Sequence, residues 1–153
     1  MKWVLVTGAS KRLGRAVALA MAKAQWGVVV HHRNSAPEAD HVATLARAHS
    51  GGAVVVKANL DDAAERGALI GEATHAAGAS LDALVNCAAI FEHDTIDTLT
   101  ETLLQRHIVT NTLTPALLAR EFAEALPEEK RGAVVNFLDC KLASPYPDHF
   151  SYT

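Results

Sequence analysis

Two glycines and the cations between them, Gly8, Ser10, Lys11, Arg12, Leu13 and Gly14 in the stretch TGASKRLG, are the first residues whose types and spacing could do chemistry. Gly8 lets the backbone turn and approach a pyrophosphate, and Gly14 lets a following helix sit close to the preceding strand. Lys11, Arg12 and Arg15 place three cations beside that turn. A second group, His32, Arg33, Asn34 and Ser35, carries a cation and hydrogen-bond donors, with no Asp or Glu before Glu38. At the end of the second strand of a dinucleotide-binding sheet, an acid accepts from the ribose hydroxyls of NAD, whereas a cation suits the 2′-phosphate of NADP. Arg33 can pair with a phosphate in bidentate fashion and Ser35 can donate a further hydrogen bond, so the expected cofactor is NADP(H).

These residues must be positioned by the elements around them. Trp3 to Val6 form an apolar run without polar alternation, the pattern of a strand buried on both faces of a parallel sheet. Leu13, Val17, Ala20, Met21 and Ala24 then recur at helical spacing, and this helix ends near Gln25. Val28 to Val30 make the second strand, and a helix from Pro37 to about Ser50 follows. Ala53 to Val56 make the third strand, leading to Asn59 and Leu60. Asp61 and Asp62 then read as N-terminal acids of a third helix that runs to about Ala77. Leu81 to Val85 form the fourth strand and Gly132 to Leu138 the fifth. Between them the apolar pattern from Thr100 to Leu126 predicts a long helix, kinked where Asn111 and Pro115 interrupt it. The alternation predicts a single-domain α/β fold over residues 1–153. It is a doubly wound parallel sheet (Rossmann fold) of order 3-2-1-4-5, with a nucleotide across the carboxyl ends of strands one and four. The fifth strand is expected to be an unpaired edge with apolar faces.

Composition narrows the partners. Half of the 153 residues are apolar, enough for a real core, and the formal charge is −3 with basic residues scattered outside Lys11 to Arg15. A small-molecule substrate is therefore expected, not nucleic acid. The N-terminal apolar run stops at Val6 and no stretch is long enough to span a membrane, which points to the cytoplasm. Cys87 and Cys140 suit a reducing compartment, with a redox-sensitive pair between neighbouring strand ends as a minor alternative. Eight histidines raise the question of a metal, but His31 and His32 are adjacent on a strand and the rest lack ligand spacing, so no metal site is expected.

With Thr7, Gly8 and Gly14 in a TGxxxGxG spacing between strand and helix, the chain resembles the short-chain dehydrogenase/reductase family. Arg12, at the place of the middle glycine, is similar to the TGxxxRxG variant of that family's pteridine reductases. The resemblance implies roles for residues further along. Asn59 stands where the family frames adenine with an Asp, next to apolar Leu60, and its amide oxygen can accept from the adenine amino group. Asn86, Cys87, Ala88 and Ala89 resemble the NNAG segment, with Ala88 small enough to lie against the cofactor. Phe91 resembles the aromatic that stacks on a pterin ring, and Asn111 matches the helix Asn that shapes a proton relay. Tyr152 takes the catalytic tyrosine position. Asp139, thirteen residues earlier, stands where most members carry Ser and pteridine reductases carry Asp.

An acid near a C=N bond can supply the proton that accompanies hydride addition to the bond. The implied function is thus an NADPH-dependent reductase acting on a C=N of a pterin or dihydropterin, with Tyr152 and Asp139 as proton donors. A carbonyl or 3-oxoacyl reductase of the same family is the alternative. The lysine of the family's YxxxK motif falls beyond Thr153, so the chain reads as the N-terminal three fifths of an enzyme of about 250 residues, inactive by itself and a homo-oligomer when full-length. A third reading is an inactive nucleotide-binding or dimerising module that offers the apolar face of the Thr100–Leu126 helix to a partner.

Overall fold

The computed structural model describes residues 1–140, 143–145 and 147–153. Five parallel strands form one sheet in the order β3-β2-β1-β4-β5. They are β1 (Trp3–Val6), β2 (Gly27–His32), β3 (Ala53–Lys57), β4 (Ala83–Asn86) and β5 (Ala133–Asn136). The helices α1 (Arg12–Lys23), α2 (Ala36–Ser50) and α3 (Ala63–Ala77) connect the first four strands, and α4 (Glu101–His107) and α5 (Thr114–Glu124) precede the last. The expected order of strands is the one found.

Alternate residues of each strand feed the two sides of the sheet, as the two-residue strand period requires. Val4, Val6, Val28 and Val30 pack under α1 and α2 against Ala18, Ala22, Ala39, Ala43 and Ala46. These alanines let both helices lie close to the strands. Trp3, Leu5, Val29 and Leu84 face the other way, onto Leu69 and Ile70 of α3 and Leu118 and Phe122 of α5. Strands β1, β2 and β4 are buried along their whole length, whereas all four residues of β5 are exposed. With Phe137 and Leu138 also exposed beyond it, β5 is the apolar edge expected of the fifth strand.

Two local expectations are corrected. The first concerns the long helix, which is not simply kinked at Pro115: a π-helical segment, Ile108–Leu113, separates α4 from α5. Pro115 then sits in the first turn of α5, where a missing N–H costs least. The second concerns the paired acids. Asp62 alone caps α3, its Oδ1 accepting from the N–H groups of Ala64 (2.8 Å) and Glu65 (2.9 Å), while Asp61 turns away to other partners. Among the described residues no helix is long and apolar enough to cross a membrane.

Candidate active site

The glycine turn lies between the carboxyl ends of β1 and β4, and Thr7 ties the two strands together there. Its Oγ1 accepts from the N–H groups of Cys87 and Ala88, both at 3.0 Å, and donates to the Val85 carbonyl. Gly8 has φ +66°, and a Cβ on it would sit 2.9 Å from the Ala88 Cα. Gly14 is tighter still, because a Cβ there would lie 2.2 Å from the Gly8 carbonyl oxygen. Both positions therefore exclude a side chain, and the backbone of the turn is left bare. Arg12 adopts φ 49°, a left-handed conformation uncommon for a side-chain-bearing residue, at the place where the family usually has glycine. No side chain caps the N-terminus of α1, so its first-turn N–H groups remain open to an anion. Ser10 is buried in the turn, Leu13 and Arg12 are exposed, and the Lys11 ammonium pairs with Glu38 of α2 at 2.9 Å.

His31, which the sequence reading passed over, supports this turn from below. Only 2 % exposed, it accepts from the Gly8 N–H at Nδ1 (3.0 Å), which leaves Nε2 to carry the hydrogen and donate to the Ala58 carbonyl (3.0 Å). Burial pushes its pKa from 6.5 down to about 4, so the ring is neutral at physiological pH. The signal was present in the sequence: a polar residue at the end of a buried valine run must find partners within the protein. His32 faces the adjoining loop, its Nδ1 accepting from the Ser35 N–H at 3.3 Å.

Beyond β2 and β3 opens a cleft of about 360 Å³ lined by Arg33, Asn34, Lys57, Asn59 and Glu65. Lys57 is a further residue that sequence reasoning missed; the parallel register sets it opposite His32, one residue before Arg33. Asn59 is held by its neighbours, its N–H donating to Glu65 (2.6 Å) and its Oδ1 accepting from the Asp61 N–H (3.2 Å). One lone pair of that oxygen stays available for another donor. Leu60 is buried beside it.

On the other side of the turn, β4 delivers Asn86, whose Nδ2 donates to Asn136 Oδ1 of β5 at 2.9 Å. The loop after β4 is then pinned by Asn111 of the π segment. Its Oδ1 accepts from the Ile90 N–H and its Nδ2 donates to the Ile90 carbonyl, both at 2.9 Å. The Asn111 side chain is thus spent on holding Ile90.

Phe91, next to the pinned residue, is half exposed and stacks face to face on His149 with centroids 3.9 Å apart, and the edge of Tyr152 meets it at 4.7 Å. The Tyr152 hydroxyl donates to Asp139 Oδ2 at 3.0 Å, so the two residues singled out for proton transfer are in direct contact. Burial, and then the Asp139 carboxylate, push the tyrosine pKa up to about 12. A third missed residue, Asp94, anchors the segment that carries Tyr152. It is 1 % exposed, and its carboxylate accepts from the Ser151 N–H (3.0 Å) and hydroxyl. Its main chain pairs with Asp148 and Phe150.

A glycine turn against an uncapped helix, an aromatic platform and a Tyr–Asp pair therefore share the carboxyl end of one parallel sheet. The short chain dehydrogenase family matches the chain over residues 2–153. The chain belongs to that family. Among solved structures, it is 33 % identical to FolM alternative dihydrofolate reductase 1 from Brucella canis, determined with NADP, with a TM-score of 0.91 over 99 % of this chain and 60 % of that one. The angucycline C-6 ketoreductase LanV, also with NADP, gives 28 % identity and a TM-score of 0.89, again over 99 % and 60 %. Among curated proteins, it is 30 % identical to an NADPH-dependent aldehyde reductase from Arabidopsis thaliana, over 97 % of this chain and 59 % of the relative. It is also 30 % identical to the 3-oxoacyl-[acyl-carrier-protein] reductase FabG of Staphylococcus aureus, over 99 % and 61 %. This family member thus spans about three fifths of the length of the relatives it matches.

Proposed function

We propose that the chain is the cofactor-binding part of an NADP(H)-dependent reductase whose substrate is a pterin or dihydropterin, reduced at a C=N bond. The cofactor assignment is supported by the fit of the turn: two positions that exclude any Cβ, open N–H groups at α1, and Arg33 with Lys57 on the wall of the adjacent cleft. The NADP complexes of FolM and LanV and the NADPH dependence of the aldehyde reductase point the same way. Bound there, a nicotinamide nucleotide supplies the hydride.

The observation that carries the substrate reading is the Tyr152–Asp139 hydrogen bond beside the half-exposed ring of Phe91. Phe91 is half exposed with His149 stacked on one face, so a flat heterocycle would stack on its ring in the place His149 takes here, and Asn111 fixes the loop that presents it. With its pKa near 12, Tyr152 keeps its proton at neutral pH and serves as a donor rather than a base. Asp139 accepts the tyrosine O–H and fixes its direction. The substrate C=N takes hydride at carbon and a proton at nitrogen, either from the Tyr152 hydroxyl or from Asp139 once solvent has protonated its carboxylate, and solvent restores that proton afterwards. The similarity to an alternative dihydrofolate reductase supports this choice.

A carbonyl or 3-oxoacyl reductase is the second reading, favoured by the FabG, aldehyde reductase and ketoreductase relatives. The test is NADPH oxidation by the natural polypeptide carrying this segment, offered dihydrobiopterin, dihydrofolate, simple ketones and a 3-oxoacyl thioester. Turnover of the two pterins is expected. Turnover of ketones or thioesters with both pterins untouched overturns the substrate assignment in favour of the second reading.

A further inference from the structure

We infer that Asp61 sets how strongly the site prefers NADP(H) to NAD(H), by competing with the 2′-phosphate for Arg33. The inference rests on the NADP(H) reading and adds to it a residue that opposes the preference. Asp61 does not cap α3, as its neighbour does; its Oδ2 lies 3.3 Å from Arg33 Nη1 and 3.7 Å from Arg106 Nε. Its Oδ1 accepts from the Thr110 hydroxyl of the π segment, and its own N–H is bonded to Asn59. The carboxylate is therefore fastened from three sides and is largely covered, whereas Arg33 is the more exposed partner. Arg106 is shared with Glu92 at 3.2 Å, so it does not cancel the Asp61 charge by itself.

Arg33 also lines the cleft beside Lys57. A 2′-phosphate entering that cleft must draw the guanidinium away from Asp61 or share it, and in both cases a fixed carboxylate stays close to a doubly charged group. A ribose hydroxyl at the same place carries no charge and meets no such opposition. The carboxylate consequently weakens NADPH selectively and leaves NADH nearly unaffected.

The test is fluorescence titration of NADPH and NADH with the wild-type chain, Asp61→Asn, Arg33→Ala and the double variant, with 2′,5′-ADP and 5′-ADP as competitors. Asn retains the acceptor for Thr110 while removing the charge. NADPH affinity is expected to rise about three- to tenfold in Asp61→Asn with NADH within about twofold, and the gain shrinks at high salt and without Arg33. An unchanged or reduced NADPH-to-NADH ratio, or the same gain in the Arg33→Ala background, overturns the inference. Asp61→Ser gives the same comparison if Asp61→Asn is poorly folded. A wild-type chain with no preference for NADPH instead overturns the cofactor reading beneath it, so the two failures are distinguishable.

Discussion

Acidification should loosen the glycine turn through one residue, His31. In the folded chain its pKa is about 4 because the ring is buried, against 6.5 when free, and its Nδ1 must be unprotonated to accept from Gly8. The folded state therefore resists protonation while the unfolded state binds a proton readily. The stability held by neutral His31 is complete above pH 6.5 and is lost as pH falls toward 4. A displacement of 6.5 to about 4 corresponds to about 3 kcal/mol when fully expressed and about 2 kcal/mol at pH 5. Urea unfolding of the wild-type chain and His31→Gln at pH 7.5 and pH 5 isolates this contribution, since every other titrating group is common to both. The wild type is expected to lose about 2 kcal/mol more than the variant over that interval. Parallel losses would refute the reasoning, because they would mean that His31 titrates alike in the folded and unfolded chains.

Further outcomes follow from the same geometry. Gly14→Ala places a Cβ 2.2 Å from the Gly8 oxygen, so the melting temperature should drop, nucleotide binding should be lost, and a cost of about 2 kcal/mol or more is expected in urea. Asp94→Ala leaves the Ser151 N–H and hydroxyl without their acceptor; hydrogen exchange should rise across residues 148–152 while β1 and β2 stay protected. In a Tyr146→Phe background, ultraviolet titration should place Tyr152 ionisation near pH 12, and Asp139→Asn should bring it down by removing the neighbouring negative charge. Asn111→Leu abolishes both hydrogen bonds to Ile90, at a cost of about 1–3 kcal/mol, and proteolysis should reach the Ile90–Glu92 loop faster.

The strand order was legible because five apolar runs too short for helices alternate with helical patterns, and that alternation admits few topologies. The glycine turn was legible for the same reason, since Gly8 and Gly14 occupy the junction of a run and a helix. Asp61 was not. Two consecutive acids before a helix both satisfy a capping rule, and only the packing of the π segment over the end of β3 sends Asp61 toward Thr110 and Arg106. The π segment itself was hidden because Pro115 draws attention to its own position, whereas the widened turns lie just before it. Lys57 and Asp94 share a different obstacle. Each is an ordinary charged residue in its local sequence, and its importance comes from partners elsewhere: β2 in register beside Lys57, and Ser151 far along the chain for Asp94. Asn111 and Ile90 meet in the same way, across a loop whose path the sequence does not specify.

The central claim is that this sheet end binds NADP(H) and that Arg33 reads the 2′-phosphate, and titration of the chain with NADPH and NADH, before and after Arg33→Ala, tests it most directly. The wild-type chain is expected to bind NADPH more tightly than NADH, and the preference to collapse in the variant through weaker NADPH binding alone. Equal affinities in the wild type, or a preference that survives the loss of Arg33, would contradict it.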